Sequence, residues 1–203
     1  AAGAGRPTVL DLPNGLARGV RAASDFLMGL QLTGAAQSDS IANMQLRLPV
    51  VVIGGGLTAI DTATEALAYY PLQVEKFLQR YEILSAAKGE AIVREAWDAE
   101  EKEIADEFLS HARAIRAERQ AAQQERRTPG VINLLQSWGG ATIAYRKRLI
   151  DRPSYTLNHE EVEKALEEGI WFAEGMTPVR VNVDAWGHTQ SVQFAVQKQD
   201  ETG

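Results

Sequence analysis

Three consecutive glycines at residues 54–56 stand between a strand pattern and a helix pattern, in the stretch VVVIGGGLTAID at residues 50–61. Gly54, Gly56 and Ala59 have the G-x-G-x-x-A spacing of phosphate-binding βα turns. In such turns the first glycine allows the tight bend, the second lets a phosphate approach the backbone, and the small third residue lets the helix pack close to the strand. Backbone N–H groups at the start of the helix then face the anion.

This context predicts that the loop binds the pyrophosphate of a dinucleotide. Two alternatives stay open, since the glycines can form only a turn or can bind another adenosyl ligand. The predicted contacts come from six consecutive residues, Gly54, Gly55, Gly56, Leu57, Thr58 and Ala59.

Cations follow the second predicted strand, ATIAYR, at the position where a dinucleotide fold recognises the ribose. An NAD site normally has an acidic residue there, about 20 positions after the glycines, to hold the ribose diol. Here Arg146 and Arg148 flank Lys147, and a guanidinium can hold phosphate oxygens through paired hydrogen bonds. A basic triplet in a loop can also be a solvated surface. At this position the residues predict contact with a 2′-phosphate, which favours NADP(H) over NAD(H).

The order strand, glycine turn, helix, strand, helix, strand predicts an α/β fold, a Rossmann-like parallel sheet with right-handed crossovers. The continuous β-branched run at residues 50–53 predicts a central strand that is covered on both faces. The helix from Leu57 is predicted to end at Pro71. Further patterns predict a strand at IWFAEG and an antiparallel β-hairpin that turns at residues 185–188.

Several boundary signals predict the remaining elements. Residues 20–32 have the apolar spacing of a helix, after an irregular start with at most one short strand near residues 8–12. Thr128 and Pro129 predict the N-cap and first position of a short helix. Asn158 predicts the N-cap of another helix, as part of a capping box.

Residues 71–127 are rich in charged residues, alanine and glutamine, and they predict a long helical insertion that delays the second strand. An apolar stripe in this insertion has two interpretations: it packs on residues 74–84 as an antiparallel hairpin, or it docks a partner subunit or a second copy. The predicted domains are a linker with a helix at 1–47, a nucleotide-binding domain at 48–70 and 128–203, and the insertion between them. The stripe consists of Trp97, Ile104, Phe108 and Ile115.

The motifs together resemble a known family. LPVVVIGGGLTAID, then ATIAYRKR, then HEEVEKALEEGIWFAEGMTPVRV resemble the NADPH-binding domain of FAD-dependent pyridine nucleotide-disulphide oxidoreductases of the glutamate synthase small-subunit type. The upstream segment AAGAGRPTVLDLPNGLARGVRAASDFL is similar to the family's link from its FAD domain. Leu57 stands where the family often has Asp or Asn, and residues 71–127 have no counterpart there.

The resemblance implies that NADPH passes a hydride to FAD, from which electrons reach another acceptor. It places Gly54, Gly56, Thr58 and Ala59 at the pyrophosphate and Arg146 with Arg148 at the 2′-phosphate. These 203 residues contain no second glycine fingerprint for FAD, so the flavin is expected in a FAD domain of the same full-length chain. The isolated chain is therefore expected to be inactive.

Composition limits the other possibilities. The net charge of −6 provides no general attraction for nucleic acid or anionic lipid, and no apolar run is long enough to span a bilayer. No cysteine is present, which removes disulfides and thiolate metal sites and is typical of a cytoplasmic protein. We predict no catalytic residue, no metal site, no nucleic-acid partner and no membrane partner; the three histidines are expected at the surface. We expect the five arginines near the end of the insertion to face solvent and not to bind nucleic acid, because no aromatic residues alternate with them.

Overall fold

The computed structural model describes residues 10–148 and 159–197. It has a mixed α/β architecture that combines a small parallel sheet, long helices and a separate antiparallel hairpin. In chain order the elements are α1 (Ala23–Leu32), β1 (Val50–Ile53), α2 (Leu57–Lys88), α3 (Glu90–Glu95), α4 (Ala99–Glu125), α5 (Val131–Ser137), β2 (Ala141–Ala144), α6 (His159–Glu167), β3 (Trp171–Ala173), β4 (Met176–Val183) and β5 (Thr189–Val196).

The parallel sheet has the order β1-β2-β3, so among the described residues β2 is central and β1 is an edge strand. Because side chains alternate along a strand, the register places Val52 beside Ile143 on one face, and both are buried. The opposite face carries Val51, which is 40% exposed. The prediction of a central strand covered on both faces is therefore wrong for β1, since composition indicates apolar surroundings but cannot show which segment supplies them.

Helix α2 runs through Pro71 and does not end there. Proline removes one helix hydrogen bond and normally kinks or breaks a helix interior. Here Tyr70 and Val74, on either side of Pro71, are fully buried, and Tyr70 makes an edge contact with Phe108 of α4. This tertiary packing outweighs the local signal, and the predicted boundary between residues 70 and 71 falls inside one continuous helix.

Helix α4 packs along α2, which confirms the antiparallel-hairpin interpretation of the apolar stripe. Phe108 and Ile115 are buried, and Trp97 and Ile104 pack against the same cluster. That cluster continues into the sheet through Val52 and Ile143. Residues 71–127 thus share one hydrophobic core with the strands.

The connection between α1 and β1 is held by polar side chains of α2. The Lys76 ammonium donates hydrogen bonds to four backbone carbonyls within residues 35–42, at 2.6–3.3 Å. Gln73 pairs with both backbone groups of Leu46, at 2.8 Å each. Burial lowers the pKa of Lys76, but its donors are satisfied by these carbonyls.

The hairpin β4–β5 forms as predicted, with a turn between Val183 and Thr189. It is attached to the segment before α1, because the Val181 N–H donates to the Pro13 carbonyl and the Thr189 N–H donates to the Arg18 carbonyl, at 3.0 and 2.8 Å. The N-terminal segment and the hairpin are therefore joined across most of the chain length.

The remaining boundary predictions have mixed outcomes. Helix α1 is confirmed, whereas the N-cap of α5 is Gly130 and not Thr128. The strand predicted near residues 8–12 is absent from its described part, and residues 8 and 9 lie outside the described residues. Asn158 also lies outside them. Among the described helices, none combines the length and apolar composition needed to cross a lipid bilayer.

Candidate functional site

The glycine turn links the carboxyl end of β1 to the amino end of α2, as the sequence predicts. The Gly54 N–H donates to the Ala144 carbonyl at 3.1 Å, which fixes the turn to the end of β2. Gly56 is the N-cap of α2 and has no side chain to cap the helix. The first N–H groups of α2 therefore have no side-chain partner at the cap and carry the positive end of the helix dipole.

Gly54 and Gly56 differ in what the fold demands of them. Gly54 has φ +151°, a backbone conformation that favours glycine, and a Cβ built there would lie 3.9 Å from the Ala59 Cβ. Gly56 has φ −88° and ψ 177°, which any residue adopts, and a Cβ there would meet nothing within 4 Å. Gly54 is thus explained by the backbone, whereas nothing among the described residues requires glycine at 56.

The other loop residues divide by burial. Leu57 and Thr58 are exposed at the first turn of α2, whereas Ala59 is 5% exposed and packs in the main core. Ala59 therefore has the close-packing role that the motif predicts, and it is not open to a ligand through its side chain. Gly55 already takes part in an interaction within the chain.

Strand β2 brings the predicted cations to the same end of the sheet as the glycine turn. Ile53 is in register with Ala144, so Arg146 follows two residues beyond the partner of the last β1 residue. Arg146 and Lys147 line the same cleft as Gly54, Gly55 and Thr58. Within the described part of the chain, neither of these two cations forms a salt bridge.

Arg148 is the last residue described before residue 159. Its side chain or backbone already takes part in an interaction within the chain. Arg146 is among the residues that line the cleft with the glycine turn, and Arg148 is not. Lys147 also lines the cleft, although the sequence marks it only as the middle residue of the basic triplet.

The cleft has a volume of about 2030 Å³ and extends from the glycine turn along β1. Helix α1 lines one side through Phe26, and the hairpin lines the other through Met176 and Pro178. The Met176 N–H donates to the Tyr145 carbonyl at 2.8 Å, which ties the hairpin to the end of β2. No motif marked these hairpin and α1 residues, because their place beside the glycines depends on tertiary contacts.

His111 is a packed residue and not the surface residue that was expected. Its ring stacks on Trp138 with centroids 3.7 Å apart, and its Nδ1 lies 2.6 Å from the Tyr70 hydroxyl. Burial lowers the pKa of His111 and raises the pKa of Tyr70. These shifts favour the neutral imidazole, which accepts a hydrogen bond from the tyrosine. The group joins α2, α4 and the end of α5, far along α2 from the glycine turn.

The arginines of the insertion are largely neutralised by carboxylates. Arg116 binds Glu82 through two hydrogen bonds of 2.7 and 3.0 Å. Arg127 binds Glu118, whose pKa it lowers to about 2 together with the Gly130 N–H. Paired in this way, these cations offer less free positive charge than their number indicates. No group of three or more His, Asp or Glu residues suited to a metal occurs in the ranges 10–148 and 159–197.

Comparison with known protein families gives no match to the chain. An uncharacterized protein of Rickettsia prowazekii (strain Madrid E) is 45% identical to it over 194 residues. The match covers 96% of the chain and 25% of that protein. The chain therefore spans about a quarter of the length of the relative that it matches.

Proposed function

We propose that this chain is the NADP(H)-binding module of a larger FAD-dependent oxidoreductase, built on a Rossmann-like fold. The observation that carries the proposal is Gly56. Its backbone conformation suits any residue and its Cβ position is open, so the fold gives no reason for a glycine there. A pyrophosphate lying against the backbone at the start of α2 provides one.

The cations add the preference for a 2′-phosphate. Arg146 and Lys147 line the cleft that the glycine turn opens into, and neither forms an ion pair among the described residues. The proposed site therefore offers a helix end without a side-chain cap to the pyrophosphate, and two cations with no salt bridge among the described residues to the 2′-phosphate. When bound, NADP(H) would supply a hydride, and the flavin that accepts it belongs to a FAD domain outside these residues.

A function in assembly through residues 71–127 has weaker support. The stripe that would dock a partner subunit or a second copy is used within the chain, since Phe108 and Ile115 are 2% and 0% exposed. Three arginines of the same segment, Arg116, Arg119 and Arg127, form salt bridges with glutamates. The observations therefore favour the nucleotide site over the helical arm.

Replacing Gly56 by serine tests the site without weakening the fold. Serine is a preferred N-cap residue, and the extended ψ at residue 56 suits it, so Gly56→Ser leaves the stability of α2 unchanged or raises it slightly. The added side chain occupies the space where the phosphate would approach. We expect calorimetric titration to show tight NADPH binding to the original chain and a loss of at least tenfold in affinity for Gly56→Ser.

Arg146→Ala gives the matching test of cofactor preference. Removal of one charge-assisted phosphate contact costs about 1.5–3 kcal/mol, which is roughly a 10- to 150-fold loss in NADPH affinity. The NADH affinity should stay unchanged, because NADH has no 2′-phosphate. Equal NADPH affinity in the original chain and both variants, with all three folded by circular dichroism, would refute the proposed site.

A further inference from the structure

We propose that residues 10–22 and the hairpin β4–β5 form a flap over the cleft, and that the ion pair between Arg18 and Glu100 holds this flap closed. Opening of the flap controls access to the glycine turn, so the inference adds a means of regulation to the proposed nucleotide site. It rests on that proposed function only for the ligand that is admitted. Three observations carry it, namely the unity of the flap, its separation from the core and the charges at its tip.

The two parts of the flap are bound to each other at several places. In addition to the backbone bonds described above, the Asn14 side-chain amide donates to the Val181 carbonyl at 2.8 Å. Gly19 lies so close to the hairpin turn that a Cβ there would come within 2.8 Å of the His188 ring. These contacts reach both the middle of β4 and the turn, so residues 10–22 and the hairpin move as one unit.

The flap does not share the hydrophobic core of the sheet and helices. Val181 is 3% exposed, yet it belongs to neither of the two described clusters of buried apolar residues. The cleft separates the flap from the other elements, with Val181 and Val192 on one wall and Val51 and Thr62 on the other. The flap can therefore move away from the sheet while the main core stays packed.

The flap is attached to the rest of the chain at its base and at its tip. At the base, Gly175 has φ +67°, and the next N–H, that of Met176, bonds to the residue after β2. At the tip, the Arg18 guanidinium binds the Glu100 carboxylate of α4 at 2.8 Å. Among the described residues, no second salt bridge joins the flap to the helices. Residues 20–22, which lead into α1, form neither helix nor strand, so the base serves as the hinge and the tip can separate from α4.

The charges at the tip make closure depend on Arg18. Glu100 raises the pKa of Arg18 most, and Asp184 of the hairpin turn and Asp98 at the start of α4 raise it further, which places three carboxylates near this guanidinium. Carboxylates of α4 and of the flap thus face each other, and without Arg18 they repel. Arg47 is a second cation near Asp184, but it is already bound by two carboxylates of α4. Removal of the Arg18 charge should therefore open the flap.

Cysteine accessibility measures this opening directly in the complete polypeptide. These 203 residues contain no cysteine, so a thiol introduced here has a peptide of its own in mass spectrometry. Thr62→Cys places the thiol on the cleft wall, at a residue that is 8% exposed. Its reaction with N-ethylmaleimide, an uncharged reagent, is timed without any nucleotide. The matched control thiol is Ser85→Cys on α2, which does not line the cleft and has a buried hydroxyl.

The charge is then changed at the tip and at a second ion pair. Arg18→Gln removes the cation of the flap, and Arg116→Gln removes the partner of Glu82, which joins α4 to α2 away from the cleft. We expect Thr62→Cys to react roughly two- to fivefold faster with Arg18→Gln, the range given by the loss of one ion pair. Its rate should stay unchanged with Arg116→Gln, and the Ser85→Cys rate should stay unchanged in both.

Salt provides a second readout, because it screens exposed charges. Raising the ionic strength from about 0.1 M to about 1 M should accelerate the reaction of Thr62→Cys when Arg18 is present and not when it is replaced. Equal rates with Arg18 and Arg18→Gln would overturn the proposal. So would an equal acceleration at Ser85→Cys or with Arg116→Gln, which would show a general loss of stability. Since no nucleotide is present, these results are independent of whether NADPH binds.

Discussion

Truncation of Phe108 to alanine tests whether the helical layer and the sheet fold as one unit. Phe108 is 2% exposed, and its ring makes edge contacts with Tyr70 and Phe77 at centroid distances of 6.2 and 5.7 Å. Truncation of a buried phenylalanine costs about 3–5 kcal/mol of unfolding free energy, including the cavity that it leaves. For a chain of this size each kcal/mol lowers the melting temperature by about 2–4 °C, so a decrease of about 6–20 °C is expected.

The assay is urea unfolding followed by two signals that report on different parts of the chain. Far-UV circular dichroism measures the helices, which dominate residues 57–125. Tryptophan fluorescence is recorded in a background in which Trp97, Trp138 and Trp186 are replaced by phenylalanine, so that it reports on Trp171 in the sheet. If α4 shares one core with the strands, both signals of Phe108→Ala move together to lower urea. The control Ile92→Ala removes a side chain that is 60% exposed and should change the unfolding free energy by less than about 0.5 kcal/mol.

Separate transitions would contradict this reasoning. If the helical layer were an independent arm, Phe108→Ala would shift the dichroism transition and leave the fluorescence of Trp171 at its original midpoint. A loss below about 1 kcal/mol would also be inconsistent with a phenylalanine that is buried between α2 and α4.

Two further perturbations follow from the packing. Burial lowers the pKa of His111 in the folded chain. The stability that its neutral ring gives is therefore complete above about pH 6.5, the unperturbed value, and is lost as the pH falls through the lowered pKa. We expect the urea midpoint to drop between about pH 7.5 and 5, and to drop less in His111→Gln. Equal pH slopes in the two proteins would contradict this. Gly139→Ala should destabilise the chain by more than Gly89→Ala in the same assay. Both glycines have positive φ, +95° and +90°, so the backbone strain of an alanine is similar at the two positions. A Cβ at 139 would lie 2.8 Å from the Pro49 Cβ, whereas a Cβ at 89 would meet nothing within 4 Å. An equal loss in both would show that Pro49 moves aside freely.

The elements that the sequence predicts correctly are those whose signals are local. The β-branched run of β1, the alternation of the hairpin and the apolar spacing of α4 each specify an element without help from distant residues. Pro71 is the opposite case, because its local signal is strong and the packing of Tyr70 and Val74 overrides it. The position of β1 at an edge depends on which strands are present, and no pattern within the strand encodes that.

The candidate site was predictable to a similar extent. The glycine turn and the cation at Arg146 lie at the ends of two strands that must be neighbours in a parallel sheet, so their proximity follows from topology. The walls of the cleft do not, because Phe26 and Met176 come from opposite ends of the chain and meet through contacts such as the Val181 N–H with the Pro13 carbonyl. The sequence also could not show that the backbone conformation requires glycine at 54 but not at 56, because this difference is visible only in the backbone angles.

The Lys76 ammonium and its four carbonyls have a consequence for the order of folding during synthesis. Residues 35–42 leave the ribosome before Lys76 does, and the backbone of Leu46 likewise waits for Gln73. Domains fold as units while the chain grows at about 5–20 residues per second, so this connection stays unformed for seconds until α2 has emerged. These contacts of residues 35–42 and of Leu46 can therefore form only after the part of α2 that holds Gln73 and Lys76 has been synthesised.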